Sequence, residues 1–391
     1  MTSDVLGFTG GAAAAGVKDG TAKRTDVALI VSDRPCAAAG VFTTNQVIAA
    51  PCVVTRRHLE RGTLRAIVVN SGNANACTGE QGERHAVTMA RAAAQRVGCD
   101  PYEVAVASTG VIGVPLPVER ITKAVKQMGL RPAAWIDVAK AIMTTDTKPK
   151  LTGIELPLGA GTVHLRGIAK GAGMIHPNLA TLLAFVMSDA DVGADDLRSI
   201  AREAADASFN QISVDGDTST NDTFLLLANG ASGVKVRGDD LTHFAAAVRT
   251  LCEMLAKAVV ADGEGVTRVF EVLVTGAGSD ADARVAARTI TTSNLVKTAI
   301  HGADPNWGRI LAAAGRSGAR VDQNRVTVRI GDVVVFESGA PRAFDADVLR
   351  LILTQKDISI GVDLGLGAGK ARAWGTDLSA EYVRINAEYT T

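Results

Sequence analysis

One hydroxyl in the 391-residue chain stands where the backbone itself could react. Thr181 follows Ala180 in a short apolar run, residues 179–187, behind the loop Lys170-Gly171-Ala172-Gly173-Met174-Ile175-His176-Pro177-Asn178. Glycines and a Pro-Asn pair mark that loop as tight, and the run after it reads as a buried strand. A threonine at such a junction can turn its Oγ onto the preceding carbonyl. An N→O acyl shift followed by hydrolysis would cut the Ala180–Thr181 bond and leave Thr181 as a new N-terminus. The freed α-amine, with a reference pKa of about 7.7–8, would accept a proton near neutrality. Nucleophile and base would then share one residue. The plain alternative is a strand threonine that packs its methyl group.

Two further places could assist such chemistry. The strand 104–107 runs into Ser108-Thr109-Gly110-Val111-Ile112-Gly113, so that Thr109 and the Gly110 amide can present a hydroxyl and an N–H side by side. A developing oxyanion needs that pairing, and one such donor is worth about 3–4 kcal/mol of barrier. A turn that uses glycine only for its dihedrals is the alternative. Glu264 stands between Gly263 and Gly265 at the end of a helical pattern, free to turn toward a pocket or simply to sit in a surface turn. Other motifs fail on inspection. Asp215-Gly216-Asp217-Thr218-Ser219 begins like a calcium loop, yet position twelve is Leu226 rather than a bidentate glutamate. Gly365-Leu366-Gly367-Ala368-Gly369-Lys370 has Leu364 and Ala371 where a phosphate loop requires Gly and Ser/Thr. His301 and Asp304 have no nucleophile elbow to serve.

The elements that must position these residues are those of an α/β protein. Hydrophobic content of 47% with 40 glycines fits a compact, loop-rich chain long enough for two or three domain-sized units. Lys+Arg and Asp+Glu both number 41, which leaves no basic excess for nucleic acid or a membrane surface. Five cysteines without paired spacing read as reduced thiols in a cytoplasmic protein, not as a zinc site or a disulfide frame. Nothing resembles a signal sequence or a membrane span. Residues 1–20, rich in Gly and Ala, read as a loop. Strands are expected at 26–32 and 39–44 with Asp33-Arg34-Pro35 as the turn between them, then at 65–70, 104–107, 152–156, 162–169, 268–275, 326–336 (a hairpin), 358–364, 370–374 and 383–385. Helices are expected at 80–97 with Gly98 as its stop, 118–128, 133–143, 195–208, 239–260, 295–300 and 345–354. The polar stretch 212–223 is taken as a hydrogen-bonded loop, and the tail from Asn386 to Thr391 as a segment prone to fray.

Lys170 to Ala184 resembles the self-cleavage segment of the ornithine acetyltransferase (glutamate N-acetyltransferase, ArgJ) family. Six more segments follow in that family's order: Asn70-Ser71-Gly72-Asn73-Ala74-Asn75-Ala76, Ser108 to Gly113, Thr144-Thr145-Asp146-Thr147-Lys148-Pro149-Lys150, Ser213 to Asp222, Asp262 to Thr267, and Asp304-Pro305-Asn306-Trp307-Gly308-Arg309. The resemblance implies a layered α/β sandwich shared with self-processing aminopeptidases, with mixed sheets and helices outside. It implies cleavage into an α chain, 1–180, and a β chain, 181–391, assembled as α2β2. Thr181 would be the nucleophile and Thr109 with Gly110 the oxyanion hole. Lys170, Thr181, Glu264, Asn386 and Thr391 would bind substrate. The implied reaction moves an acetyl group from N2-acetyl-L-ornithine to L-glutamate through an acetyl-Thr ester, with no cofactor or metal; whether acetyl-CoA also serves as donor is open. An amidohydrolase or aminopeptidase on the same scaffold is the competing expectation.

Overall fold

A computed structural model describes residues 4–176 and 182–388. Within them, fifteen strands form two mixed sheets, with helices packed against both. The strands are β1 (Phe8–Ala13), β2 (Val27–Phe42), β3 (Thr63–Asn73), β4 (Val104–Val111), β5 (Lys150–Leu158), β6 (Gly161–Lys170), β7 (Leu183–Ser188), β8 (Ile212–Ser213), β9 (Thr223–Ala228), β10 (Val269–Ala277), β11 (Thr327–Ile330), β12 (Val333–Glu337), β13 (Ala340–Pro341), β14 (Asp357–Asp363) and β15 (Gly369–Thr376). The first sheet runs β4-β3-β2-β9-β7-β6-β5, with β1 paired to β2. The second runs β13-β12-β11-β14-β10-β15-β8. The layered α/β arrangement implied by the sequence is therefore the one observed.

Strand β7 shows why the first sheet is covered on both sides. All six of its residues are buried. Successive side chains of a strand point to opposite faces, and they divide between two cores accordingly. Leu183, Phe185 and Met187 meet Trp135 and Val138 on one face. Ala184 and Val186 meet the helices Ala194–Ala207 and Asp239–Ala261 on the other. The long helix Asp239–Ala261 buries Phe244, Val248, Leu251, Leu255 and Val259, the stripe that a 3.6-residue period places on one side. It packs on β5 and β6 of the first sheet and also reaches β8 and β15 of the second. Gly98 ends the helix Gly79–Val97 in the left-handed conformation expected of a glycine stop.

Three expectations are corrected. Residues 8–13 form strand β1 rather than a loop, antiparallel to β2 with Phe8 opposite Ser32. Its glycines serve close packing: a Cβ on Gly11 would lie 2.4 Å from the Gly129 carbonyl oxygen. Asp33-Arg34-Pro35 is not a turn between two strands. The chain runs straight on through β2, and the three residues form an exposed irregularity where the register to β3 shifts between Val31 and Cys36. A bulge tolerates a proline, which has no N–H to donate. The third is at 383–385, which belongs to the helix Ala380–Glu388 instead of a strand. Ser379 Oγ accepts from the Tyr382 N–H, and Arg384 pairs with Glu381 at 2.6 Å and Glu388 at 3.3 Å along the helix surface. The helices Ala50–Leu59 and Asp280–Thr291 were not anticipated. Alanine-rich stripes such as Ala283, Ala286 and Ala287 carry little apolar contrast, although here they pack fully against the second sheet.

Removing the Phe185 ring from a site with neighbours on every side should cost about 3–5 kcal/mol. Phe185→Ala is thus expected to lower the urea-unfolding midpoint sharply, whereas Leu351→Ala, at a side chain 70% exposed, should leave it within about 0.5 kcal/mol of the parent.

Candidate active site

The end of β4 and the end of β6 stand five strand positions apart in the first sheet. In a flat sheet that separation would be roughly 24 Å. Yet Lys170 Nζ, at the last residue of β6, donates to Thr109 Oγ1 near the end of β4 at 3.2 Å. The sheet therefore curls until these ends face each other. Asn221, just before β9, holds the curl: its amide donates to the carbonyls of Ala74 at 2.6 Å and Ser108 at 2.9 Å. Gly110 sits at φ +134°, against Gly72 of β3; a Cβ there would lie 2.3 Å from the Gly72 carbonyl carbon.

Between the facing ends lies a cavity of about 150 Å³. Thr109, Gly110, Lys170, Glu264 and Asn386 all line it, so five residues widely separated in sequence come together. Glu264 arrives from the turn after the helix Asp239–Ala261. Its backbone N–H donates to the Ala172 carbonyl at 3.0 Å, and its carboxylate accepts from Asn386 Nδ2 at 2.9 Å. Gly173 leaves room for it: a Cβ there would lie 2.4 Å from the Glu264 carboxyl carbon. Asn386 is carried by the helix Ala380–Glu388, which crosses Gly265 so closely that a Cβ would meet the Tyr382 N at 2.4 Å. Leu182, the first described residue of the apolar run, also lines the cavity. Ala180, Thr181 and Thr391 lie outside the described residues.

The charges in the cavity are set by burial. Lys170 is 8% exposed, and burial draws its ammonium below the usual lysine range, opposed by the carboxylates of Asp146, Asp222 and Glu264. The loop beyond it is held by a carboxylate that sequence reasoning assigned only to a polar loop. Asp215 accepts from the N–H groups of Met174 at 2.6 Å and Ile175 at 2.9 Å, with Met174 in the left-handed region at φ +56°. Val214 N–H donates to the Ile175 carbonyl at 2.6 Å, and Thr218 Oγ1 to the His176 carbonyl at 3.0 Å. The His176 ring lies 3.3 Å from Ser213 Oγ and 2.9 Å from an Arg288 nitrogen. Burial, and then the Arg288 charge, push its pKa down to about 4. Asp215, Asn221 and Asp146 each act through partners tens of residues away. The dense polar stretches 212–223 and 144–150 were their sole trace in the sequence. Among the described residues no group of three or more His, Cys, Asp or Glu side chains could hold a metal ion. Nor is any described helix long and apolar enough to cross a membrane.

The family model for the ArgJ family matches residues 9–391. The chain belongs to the ArgJ family. A relative from Symbiobacterium thermophilum, named arginine biosynthesis bifunctional protein ArgJ, is 50% identical over 390 residues, covering 98% of this chain and 97% of its own. A relative of the same name from Geobacter sulfurreducens is 48% identical, covering 99% of this chain and all of its own. The crystal structure of the arginine biosynthesis bifunctional protein ArgJ of Bacillus halodurans aligns with a TM-score of 0.50 at 40% identity. That match covers 51% of this chain and 96% of the solved chain. In this ArgJ-family chain, then, one cavity gathers Thr109, Gly110, Lys170, Glu264 and Asn386.

Two measurements test the geometry. Gly110→Ala meets both a forbidden φ and the Gly72 backbone, so it should destabilise well beyond the roughly 1 kcal/mol of a dihedral penalty alone. Gly113→Ala, at φ +80° with nothing within 4 Å of its Cβ, should show only that smaller loss in a thermal melt. For His176 the sign follows from its depressed folded-state pKa. Above the unfolded value of about 6.5 both states are neutral; between pH 6.5 and 4 the unfolded chain takes up a proton that the folded one refuses. Stability contributed there is lost as pH falls through that window. In His176→Asn the unfolding midpoint should decline less steeply than in the parent between pH 6.5 and 4, and in parallel with it above pH 7.

Proposed function

We propose that this chain is a self-cleaving acetyltransferase of arginine biosynthesis, moving an acetyl group from N2-acetyl-L-ornithine to L-glutamate. The observation that carries the reading is the Lys170–Thr109 contact, in a cavity to which Leu182 brings the chain immediately after Thr181. Relatives at 50% and 48% identity over nearly their whole length carry the name of an arginine biosynthesis bifunctional protein, which supports the substrate class. A solved relative of which 96% corresponds to 51% of this chain fits a chain divided near its middle.

On this reading the Ala180–Thr181 bond is cut to give chains of residues 1–180 and 181–391. The Thr181 α-amine takes the proton from Thr181 Oγ as that oxygen attacks the acetyl carbonyl of acetylornithine. Negative charge gathers on the former carbonyl oxygen, which Thr109 and the Gly110 amide stabilise. The carbon–nitrogen bond then breaks, the α-ammonium returns the proton to the leaving amine, and ornithine departs. The α-amine of glutamate attacks the acetyl-Thr ester and leaves as N-acetylglutamate, restoring the Thr181 hydroxyl. Lys170 pairs with the α-carboxylate common to both amino acids. Glu264, oriented by Asn386, pairs with the side-chain ammonium of ornithine, and Thr391 completes the pocket. The word bifunctional in the relatives' names fits a second activity at this site, for which acetyl-CoA loading the same ester is the candidate. The enzyme would act in the cytoplasm as an α2β2 assembly of its two fragments.

Intact-mass spectrometry of the purified protein should find two fragments that meet between Ala180 and Thr181. Thr181→Ala should remain a single chain and lose acetyl transfer by several orders of magnitude. Acetylornithine with glutamate should yield N-acetylglutamate rather than free acetate. A Thr181→Ala chain cut as in the parent would end the assignment, and free acetate as the main product would favour the hydrolase.

A further inference from the structure

Behind the cavity lies a cluster of charges that the proposed reaction does not use. The side chains of Asp146 and Lys150 are 0% and 2% exposed. Lys150 Nζ donates to Asp146 Oδ1 at 2.6 Å and to Asp262 Oδ2 at 2.7 Å, so one ammonium is shared by two carboxylates. The two carboxylates are employed differently. Asp262 takes the N–H groups of Thr147 and Lys148 at 3.0 and 3.2 Å, together with the Thr147 hydroxyl, and so fastens the loop before β5 to the end of the helix Asp239–Ala261. Asp146 faces the cavity side. Its Oδ1 also accepts from the Gly171 N–H at 2.7 Å, the peptide directly after Lys170, while its Oδ2 takes the Thr144 N–H at 3.0 Å.

We propose that Asp146 is a positioning residue for Lys170: its carboxylate fixes the peptide after Lys170 and places negative charge behind the ammonium that donates to Thr109. The cluster of Asp146, Lys150 and Asp262 carries one net negative charge in a place where isolated charge is costly. Lys170 is the neighbouring cation that balances it. The charged groups facing Lys170 are Asp146, Asp222 and Glu264, which favour its protonated form, and Lys150, which opposes it; Asp146 is the strongest of the favourable three. Asp262 instead contacts Lys150 and the backbone of Thr147 and Lys148. The reciprocal effect is seen on Asp146. Burial would raise its carboxyl, but the ammonium groups of Lys170 and Lys150 and its hydrogen bonds outweigh that and hold it at about 2. The inference rests on the reading of Lys170 as the carboxylate-binding group, but it can be tested without any acetyl transfer.

The test is trace labelling of the purified, mature protein with acetic anhydride across a pH series. Modification of the Lys170 amine is followed by peptide mass spectrometry, and the midpoint reports its protonation. In Asp146→Asn the midpoint should fall by a unit or more, so that about tenfold more Lys170 is unprotonated at a given pH. Asp146→Glu should recover most of the shift. Asp262→Asn removes the other buried partner of Lys150 and should leave the midpoint where it was. An unmoved midpoint in Asp146→Asn, or an equal fall in Asp262→Asn, overturns the proposal, the second because it would report loosened packing. Should Asp146→Asn fail to fold, Lys150→Gln decides: removing the opposing cation should raise the midpoint, and a midpoint at or below the parent's overturns the proposal. None of these outcomes depends on which acyl donor the enzyme uses.

Discussion

The contact between Lys170 and Thr109 is the constraint on which the rest of the molecule depends. A lysine side chain reaches only a few ångströms, so the first sheet must close much of the distance between β4 and β6 by curling. Strand β2 is built for that bend. Its first half pairs with β1 and β3 and its second half with β9, and the register slips at the exposed residues Asp33, Arg34 and Pro35 between them. A bulge of this kind increases local twist. Asn221 then ties the loop before β9 to the ends of β3 and β4 with two hydrogen bonds, in a setting too buried for water to replace them.

The curl brings together groups that would not otherwise be stable in proximity. An ammonium 8% exposed costs free energy unless carboxylates stand near it, and a carboxylate as buried as Asp146 costs as much without cations. The fold meets both demands with one arrangement: Lys150 is shared by Asp262 and Asp146, and the charges of Asp146 and Lys170 favour each other's ionised forms. Each charge is compensated by the next, and the last one is presented to the cavity. On the proposed reading, a ligand carboxylate would meet a counter-charge already desolvated and oriented, which would reduce the reorganisation needed on binding.

Much of this was legible in the sequence, and the boundary has a physical cause. The apolar run containing Leu183, Phe185 and Met187 reads as a buried strand because both faces of β7 are covered. Thr109, Gly110 and Glu264 stood out by their glycine-rich settings, whereas Lys170 and Asn386 entered the set only through the resemblance to the family; all five line one cavity. The roles of Asp146 and Asp215 were not readable, since their partners Gly171, Met174 and Ile175 are 25 to 41 residues away. The same limit hid the helix Ala380–Glu388. Val383, Arg384 and Ile385 alternate in the manner of a strand, whereas the cap at Ser379 and the ion pairs of Arg384 depend on spacing across the whole segment. Strand β1 was hidden by small residues, chosen for close approach to neighbouring backbone rather than for freedom of movement.

The loop 170–176 shows why polar anchors suit this site better than apolar ones. Among its anchors, Asp146 holds the Gly171 N–H, the Glu264 N–H holds the Ala172 carbonyl, and Asp215 holds the Met174 and Ile175 N–H groups. Hydrophobic contact is non-directional and would bury such a loop without deciding which way each peptide faces. A hydrogen bond to a carboxylate, worth roughly 1.5–3 kcal/mol, decides it peptide by peptide. That is enough to hold Met174 at a positive φ, which costs about 1–3 kcal/mol in a residue with a side chain. The two anchoring carboxylates differ in what else they hold. Asp146 belongs to the charge chain behind Lys170, while Asp215, raised by its own burial, stands close enough to Tyr382 of the final helix to help raise its hydroxyl above the usual tyrosine range. The same helix brings Asn386 to Glu264. Docking the last helix therefore fixes one end of the loop and the carboxylate in the cavity together, so the site is complete only when chain segments more than 200 residues apart in sequence have assembled.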